Sequence, residues 1–419
     1  MANPPDLSGH PLFAPIKVGN VMLQHKIVMA PLTRYRADDK HTPTSLMVEY
    51  YSQRASTPGT LLITEGTIIA PRAGGCYNAP GVWNEAQIAA WKMVVEAVHA
   101  QQSFVFLQLW ALGRAADAAV LAEEAAKAGV DAETFPFVSA SDIPVRKRDR
   151  SVPDVRPRPL TEEEIDEYIL DYAHAARNAV ISAGFDGVEI NCANGYLLDQ
   201  FLQDVSNVRN DSYGDSISAR AKFPLRVLDA VVSAVGAERT SLRVSPWNEY
   251  LGMRMADPLP TFSYLITEAH CRHPMLAYLH VVEGARQGDS NDFARNLWKQ
   301  GRKDGEVVFL SASGHDRATA LHRTENGDVV VFGRWFISNP DLPHRIKDNI
   351  EFTPYDYPTF YARMSPKGYV DYAFAQDPNV RECKDAEMNG LPETAPLAER
   401  GHPKLSGIWN VTAAQAGDG

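Results

Sequence analysis

Residues 187–196 of the chain read GVEINCANGY, and the way this stretch is built decides the fold. Its first half, GVEIN, has the length and the largely apolar composition of a strand that is buried on both faces. Polar residues follow from Asn191 to Tyr196, as expected where a barrel strand passes into an active-site loop. Seven other short runs resemble GVEIN: KIVMAPL (26–32), TLLITEG (60–66), SFVFLQLW (103–110), SLRVSP (241–246), AYLHVVE (277–283), VVFLSAS (307–313) and VVVFGRW (329–335).

Longer amphipathic stretches separate these runs. One of them, residues 160–184, begins with Thr161 three residues before Glu164, which is a capping-box pattern, and ends at Gly184. The alternation predicts an α/β protein, a (β/α)8 TIM barrel. An open doubly wound sheet is the alternative, and it is disfavoured because the first strand has no GxGxxG turn.

The domain organisation predicted for the 419 residues is one barrel over 1–375 and a C-terminal extension over 376–419 that loses all periodicity. A long excursion, residues 111–160, interrupts the alternation after the third strand. In a barrel it would lie at the carboxyl face, over the active site. Its basic residues, Arg146 to Arg150, are interpreted as a solvated loop rather than a phosphate-binding site.

Composition excludes several classes of function. The formal net charge of −11 argues against nucleic acid or an anionic membrane as the main partner. The four cysteines form no CxxC pair, so neither a disulfide framework nor a metal site is expected, and Cys192 is interpreted as a small packing thiol. Without a signal peptide or a long apolar run, we expect a cytoplasmic protein, monomeric or homodimeric.

The residues at the strand ends point to cofactor chemistry. They include amides, aromatic rings and arginines, but no Ser/His/Asp triad, metal-ligand set or pair of catalytic carboxylates. Arg243 stands on an otherwise apolar strand, where it could pair with a carboxylate or stabilise negative charge on a reduced flavin. Gly314, Gly333 and Arg334 follow the seventh and eighth strands, where barrels commonly bind phosphate.

Over roughly residues 11–375 the sequence resembles the old yellow enzyme family of FMN-dependent ene-reductases. The resemblance rests on ordered blocks: PLFAPIKVGNVMLQHKIVMAPLTRYRA, LLITEGTIIAPRAGG, APGVWNEAQIAAWK, FLQLWALGRAA, AGFDGVEINCANGYLLDQFLQDVSNVRNDSYGDSISARAKFPLRV and VVFGRWFISNPDLPHRI. It implies an eightfold barrel with an N-terminal β-hairpin lid. It also implies an enzyme that uses NADPH to reduce the C=C bond of an activated alkene, a small α,β-unsaturated carbonyl compound.

The resemblance also implies roles for individual residues. Asn191 and Asn194 would donate hydrogen bonds to the substrate oxygen, and Tyr196 would supply the proton. The residues implied to bind FMN are Pro31, Leu32, Thr33, Gly66, Gln108, Arg243, Gly314, Gly333 and Arg334. The residues implied to line the substrate pocket are Tyr77, Trp110 and Tyr369.

Position 191 departs from the family pattern. The family usually has histidine there, giving HxxN or HxxH, whereas this chain has NxxN. An amide is a neutral donor that can never become cationic, unlike imidazole. Two interpretations stay open: an ene-reductase with an altered substrate range, or a redox-neutral isomerase or cyclase of a biosynthetic pathway. The presence of Tyr196 favours reduction, since net reduction needs a proton donor.

Overall fold

The computed structural model describes residues 7, 9–145, 154–301 and 307–375. Its strands are β1 (Ile16–Val18), β2 (Val21–Leu23), β3 (Ile27–Met29), β4 (Leu61–Ile63), β5 (Thr67–Ile68), β6 (Phe104–Trp110), β7 (Val138–Ser139), β8 (Arg158–Pro159), β9 (Gly187–Cys192), β10 (Thr240–Val244), β11 (Leu279–Val282), β12 (Phe309–Ala312) and β13 (Val329–Phe332). Its α-helices are α1 (Ser45–Arg54), α2 (Glu85–Ala100), α3 (Ala118–Ala128), α4 (Glu162–Arg177), α5 (Leu197–Leu202), α6 (Ile217–Val235), α7 (Leu259–Arg272), α8 (Asp292–Lys299), α9 (Arg317–Glu325), α10 (Arg334–Ser338) and α11 (Leu342–Asp348).

Eight of the strands form a closed parallel barrel. The order is β3, β4, β6, β9, β10, β11, β12 and β13, and β13 pairs with β3 to close the ring. Every residue of β3, β4, β9, β10, β12 and β13 is buried, as expected when side chains fill the barrel and helices cover it. The predicted (β/α)8 fold is confirmed, and the open-sheet alternative is wrong.

Helix α4 begins and ends where its sequence signals predict. The Thr161 hydroxyl accepts from the backbone N–H of Glu164 at 3.2 Å, and the Glu164 carboxylate accepts from the N–H of Thr161 at 2.8 Å. The reciprocal pair satisfies two N–H groups that a helix N-terminus otherwise leaves unbonded. The helix continues through a π-helical turn, Asn178–Ala183, and ends at Gly184 with φ of 88°.

The N-terminal hairpin, β1 and β2, covers the end of the barrel opposite the carboxyl ends of its strands. At its turn, Gly19 has a left-handed backbone, with φ of 54°, and packs closely against two loops of the barrel. A Cβ there would lie 2.0 Å from the carbonyl oxygen of Glu238 and 2.9 Å from the Cβ of Ala277, two residues that precede β10 and β11. The hairpin is therefore a lid on the amino end, away from the polar strand ends.

The excursion over 111–160 is partly ordered around α3, β7 and β8. Arg114 ties it to the loop after β10, since its guanidinium donates to the carbonyl oxygen of Leu251 at 3.1 Å. This places the excursion on the carboxyl side of the barrel, as expected, although none of its described residues lines the cleft at the carboxyl ends of the strands. The basic segment Arg146 to Arg150 and the extension 376–419 lie outside the described residues, and the predictions made for them stay predictions.

Substituting Gly19 with alanine tests the packing of this hairpin. Gly19→Ala should lower the free energy of unfolding by at least about 2 kcal/mol, because a left-handed backbone and a steric clash both oppose the new methyl group. Gly129→Ala is the matched control, since Gly129 is also left-handed but no atom lies within 4 Å of its Cβ position. The free energies of unfolding are measured by chemical denaturation. An equal loss in the two variants would contradict the close packing of Gly19.

Candidate active site

A cleft opens at the carboxyl ends of the barrel strands, with an empty volume of about 1040 Å³ that is partly open to solvent. Most of the predicted site residues line it: Pro31, Leu32, Thr33, Gln108, Trp110, Asn191, Asn194, Tyr196, Arg243 and Arg334. The parallel register brings them together, because Arg243 of β10 pairs with Asn191 of β9, and Gln108 of β6 pairs with the neighbouring Glu189.

The amide of Asn194 is held with its donor side available. Asn248 donates from its amide nitrogen to the Asn194 Oδ1 at 2.5 Å, while its own Oδ1 accepts from the N–H of Tyr250. With its oxygen occupied, Asn194 keeps its NH₂ group for another partner. Its backbone is left-handed, with φ of 56°, a conformation that asparagine tolerates, and its N–H donates to the hydroxyl of Ser245 at 2.7 Å.

The amide of Asn191 is oriented in the same sense. Its Oδ1 accepts from the N–H of Ala193 at 3.1 Å, and one N–H of its Nδ2 donates to the Oε1 of Gln108 at 3.1 Å. The second N–H of the amide takes no part in these two bonds. The NxxN motif therefore presents two neutral amide donors in one cleft.

Tyr196 contributes an acidic group to the same space. Its ring meets the ring of Trp110 edge-on, with centroids 4.9 Å apart. Burial, together with Tyr250 and Tyr361, raises the pKa of Tyr196 well above its usual value, because a phenolate would lose its hydration there. The phenol consequently stays protonated across the physiological pH range.

Arg243 is suited to an electron-rich cofactor edge. Its side chain is buried, and its Nε has no hydrogen-bond partner among the described residues. Burial lowers the pKa of the guanidinium, and the nearby Glu189 charge opposes that shift. Both sequence interpretations of Arg243 stay open, since the charge of Glu189 acts on it while its buried Nε–H has no acceptor among the described residues. A buried cation with an unused donor at a cleft fits a flavin, whose reduced ring carries negative charge.

The predicted glycine contacts lie behind or beside the cleft lining. Gly66 packs under the Trp110 ring, and a Cβ there would approach it to 2.7 Å, so glycine allows a close backbone approach. Gly333 precedes α10 next to Leu32, where a Cβ would be 3.5 Å from that side chain. Gly314 lies in a left-handed turn with φ of 78°. Arg334 is the predicted phosphate ligand that lines the cleft directly.

Two of the aromatic residues predicted for the substrate pocket, Tyr77 and Tyr369, are not among the residues that line this cleft. The Tyr77 hydroxyl donates to Glu123, away from the cleft, and the preceding Cys76 is the buried member of the pair. Tyr369 is completely buried, and its ring stacks on Tyr50 with centroids 4.0 Å apart. Tyr361, from the same segment as Tyr369, lines the cleft instead, and a sequence pattern does not say which of the two rings points inward.

Several cleft residues were missed: Arg34, Tyr35, Tyr250, Ile337, Tyr357, Phe360 and Tyr361. Tyr35 has a left-handed backbone, with φ of 57°, and its ring lies 5.9 Å from that of Tyr361. The carboxylate of Glu65 holds this loop by accepting from the N–H of Arg34 at 3.1 Å, and burial raises the pKa of Glu65 to about 7. No strand-end rule finds Tyr361, because it lies in the segment after the last barrel helix.

No described helix has the length and apolar character that a membrane crossing requires. No group of three or more potential metal ligands occurs in the described part of the chain either.

Comparison with known proteins identifies the family. The profile of the NADH:flavin oxidoreductase / NADH oxidase family matches residues 11–352. An old yellow enzyme from Pichia superposes with a TM-score of 0.79 at 35% identity, covering 94% of this chain and 100% of its own. A chanoclavine-I aldehyde reductase of Penicillium roqueforti is 49% identical over 375 residues, which are 87% of this chain and 97% of the relative.

A protein of Claviceps fusiformis described as a probable inactive dehydrogenase is also similar, at 43% identity over 88% of this chain and 96% of its own length. Relatives of this chain therefore include proteins described as reductases and proteins described as inactive. The barrel, the family match and a buried arginine whose Nε has no hydrogen-bond partner among the described residues agree on one class. The chain belongs to the NADH:flavin oxidoreductase / NADH oxidase family and is an FMN-dependent oxidoreductase of the old yellow enzyme type.

Proposed function

We propose that this enzyme uses NADPH to reduce the C=C bond of α,β-unsaturated carbonyl compounds, with unsaturated aldehydes as the preferred class. The observation that carries the proposal is the pair of oriented amide donors, Asn191 and Asn194, in one cleft with the protonated Tyr196. The similarity to a chanoclavine-I aldehyde reductase supports an aldehyde as the carbonyl group.

The residues proposed to hold FMN belong to the strand ends. Pro31, Leu32 and Thr33 would lie along the ring, Gly66 and Gln108 on its pyrimidine side, and Arg243 beside N1 and O2. Gly314, Gly333 and Arg334 would hold the phosphate. FMN bound by these residues would supply hydride-transfer chemistry, with NADPH as the reductant.

The amide pair would bind the substrate oxygen and stabilise the negative charge that develops on it. Each such donor is worth about 10²–10³ in rate when it is oriented before the reaction. Both donors are preorganised, because Ala193 and Asn248 occupy their oxygen atoms. An amide cannot become cationic, so the polarisation should not depend on pH in the way that a histidine donor allows.

Tyr196 would then deliver its proton to the α-carbon of the resulting enolate. Its raised pKa keeps the proton in place until a strong base forms beside it. Trp110 and the missed Tyr361 belong to the aromatic wall against which a flat substrate can pack.

Anaerobic titration tests the proposal. NADPH should bleach the visible absorbance of the purified flavoprotein, and an unsaturated aldehyde such as trans-2-hexenal should restore it with stoichiometric formation of hexanal. Reoxidation by oxygen but not by the aldehyde would refute the proposal. Substrate conversion without NADPH consumption would instead identify a redox-neutral isomerase or cyclase.

Replacing Tyr196 separates the two half-reactions. Tyr196→Phe should leave flavin reduction by NADPH unchanged and slow reoxidation by the aldehyde about 10²- to 10⁴-fold, because only the second step needs the proton. Since the pKa of Tyr196 is raised, reoxidation by the parent should show no loss attributable to this residue up to about pH 10. Stopped-flow rates of the two steps check both statements, and an equal effect on both steps would contradict the assigned role.

Asn248→Asp tests the orientation of the Asn194 amide. The new carboxylate can still accept from Tyr250 but can no longer donate to the Asn194 Oδ1, so the Asn194 amide should turn its NH₂ group toward that carboxylate. We expect reoxidation by the aldehyde to slow about 10²–10³-fold, with flavin reduction unchanged. Asn248→Ser removes the hydrogen bond to the Asn194 Oδ1 without forcing the Asn194 amide to rotate. Its rate of reoxidation by the aldehyde should therefore fall less than that of Asn248→Asp. Equal losses in the two variants would argue against the orientation mechanism.

A further inference from the structure

A chain of hydrogen bonds runs beneath the cleft across strands β6, β9 and β11. Asn191 Nδ2 donates to Gln108 Oε1 at 3.1 Å, and Gln108 Nε2 donates to Glu189 Oε1 at 2.7 Å. The second carboxylate oxygen, Glu189 Oε2, lies 2.7 Å from His280 Nδ1. Glu189 and His280 are fully buried, and Gln108 and Asn191 are nearly so.

We propose that Glu189 is a positioning residue that sets the direction of this chain and thereby makes Asn191 a hydrogen-bond donor to the substrate. The proposal rests on the function proposed above, in which Asn191 binds the substrate oxygen. Glu189 itself lies outside the residues that line the cleft, so it acts through Gln108.

The argument follows from the acceptor-only character of an ionised carboxylate. Because Glu189 can only accept, Gln108 must turn its NH₂ group toward Glu189 and its carbonyl oxygen toward Asn191. That oxygen in turn requires Asn191 to donate. The N–H of Ala193 enforces the same orientation from the other side, because it occupies the Asn191 Oδ1. The buried Glu189 charge thus fixes the Gln108 amide directly and, together with the Ala193 N–H, the Asn191 amide.

The charges around Glu189 keep it ionised. Burial opposes its charge, but the Arg243 cation and the hydrogen bonds from His280 and Gln108 together lower the pKa of Glu189 below the usual value. Burial lowers the pKa of His280, so the imidazole stays neutral, and its Nδ1–H is the donor to Glu189. The His280 Nε2 has no hydrogen-bond partner in the described part of the chain, so no other hydrogen bond competes with the one from Nδ1 to Glu189.

Glu189 also balances the charge of Arg243. Arg243 pairs in register with Asn191 on one side and with His280 on the other, so it occupies the same layer of the barrel as the hydrogen-bond chain. Neutralising Glu189 would leave the cation uncompensated beside the cofactor. Reduced flavin would then be stabilised, and the midpoint potential of the flavin would become more positive.

The test compares Glu189→Gln with a matched control in FMN-loaded protein. Asp328→Asn is the control, because Asp328 is equally buried but pairs with Arg295 just before β13, at the amino end of the barrel. The probe is phenol, whose oxygen imitates that of a substrate enolate, titrated through the change in flavin absorbance. The midpoint potential is measured in parallel against a reference dye.

Glu189→Gln should retain FMN, weaken phenol binding by roughly tenfold to 10²-fold and shift the flavin potential to more positive values. The first effect reflects lost orientation of Asn191, and the second reflects the unbalanced Arg243. Asp328→Asn should change neither quantity, although it destabilises the fold. Parent-like phenol affinity and potential in Glu189→Gln would overturn the proposal.

Neutron diffraction of the deuterium-exchanged parent holoenzyme gives a readout that needs no variant. Deuterons should appear on the Gln108 amide atom that faces Glu189 and on the Asn191 atom that faces Gln108. The opposite assignment would overturn the proposal even if Glu189→Gln failed to fold. Neither phenol binding nor the deuteron positions depend on alkene reduction. If the enzyme binds phenol but reduces no alkene, the proposed function is refuted, while these two measurements still decide the role of Glu189.

Discussion

The closed parallel register of the barrel is the constraint on which the site depends. Because all eight strands run the same way, residues of adjacent strands stand at one level, and their polar side chains meet at one end. Gln108, Glu189 and Arg243 come from three neighbouring strands that are far apart in sequence. A register shift of one residue in β9 would exchange Asn191 for its apolar neighbour and remove the donor from the layer.

Loops add the groups that the strands cannot supply, and buried polar contacts hold those loops in place. The loop after β9 carries Asn194 in a left-handed conformation, held by Ser245 and Asn248 from the loop after β10. Asp199 accepts from the N–H of Gly195 at 2.8 Å, and burial raises the pKa of Asp199 to about 7. The position of the Asn194 amide in the cleft therefore depends on two consecutive strand–loop units, β9 and β10 with the loops that follow them.

Sequence alone predicted most of the fold, because strand composition and helix caps are local. The runs around Val28, Val105 and Val330 are barrel strands as predicted, and Thr161 caps its helix. At the site, the strand-end rule located Asn191 and Arg243 because their positions follow directly from the strand.

Neither the strand-end rule nor the family resemblance predicts the features that tertiary packing decides. Tyr77 and Cys76 are adjacent, and only the path of the loop determines which one turns inward. Tyr361 and Tyr369 are both in the last described segment, and the stacking of Tyr369 on Tyr50 selects Tyr361 for the cleft. Asn248 and Glu189 were not predicted as site residues either, because they act through hydrogen bonds to other side chains.

The central claim is that the substrate oxygen binds the two amides, that hydride reaches the β-carbon from the cofactor, and that Tyr196 protonates the α-carbon. Reduction of trans-2-hexenal in D₂O with unlabelled NADPH tests this most directly, because the phenol proton exchanges with solvent. The account predicts one deuterium at the α-carbon of hexanal and none at the β-carbon, as read by NMR. Deuterium at the β-carbon, or hexenol in place of hexanal, would contradict it.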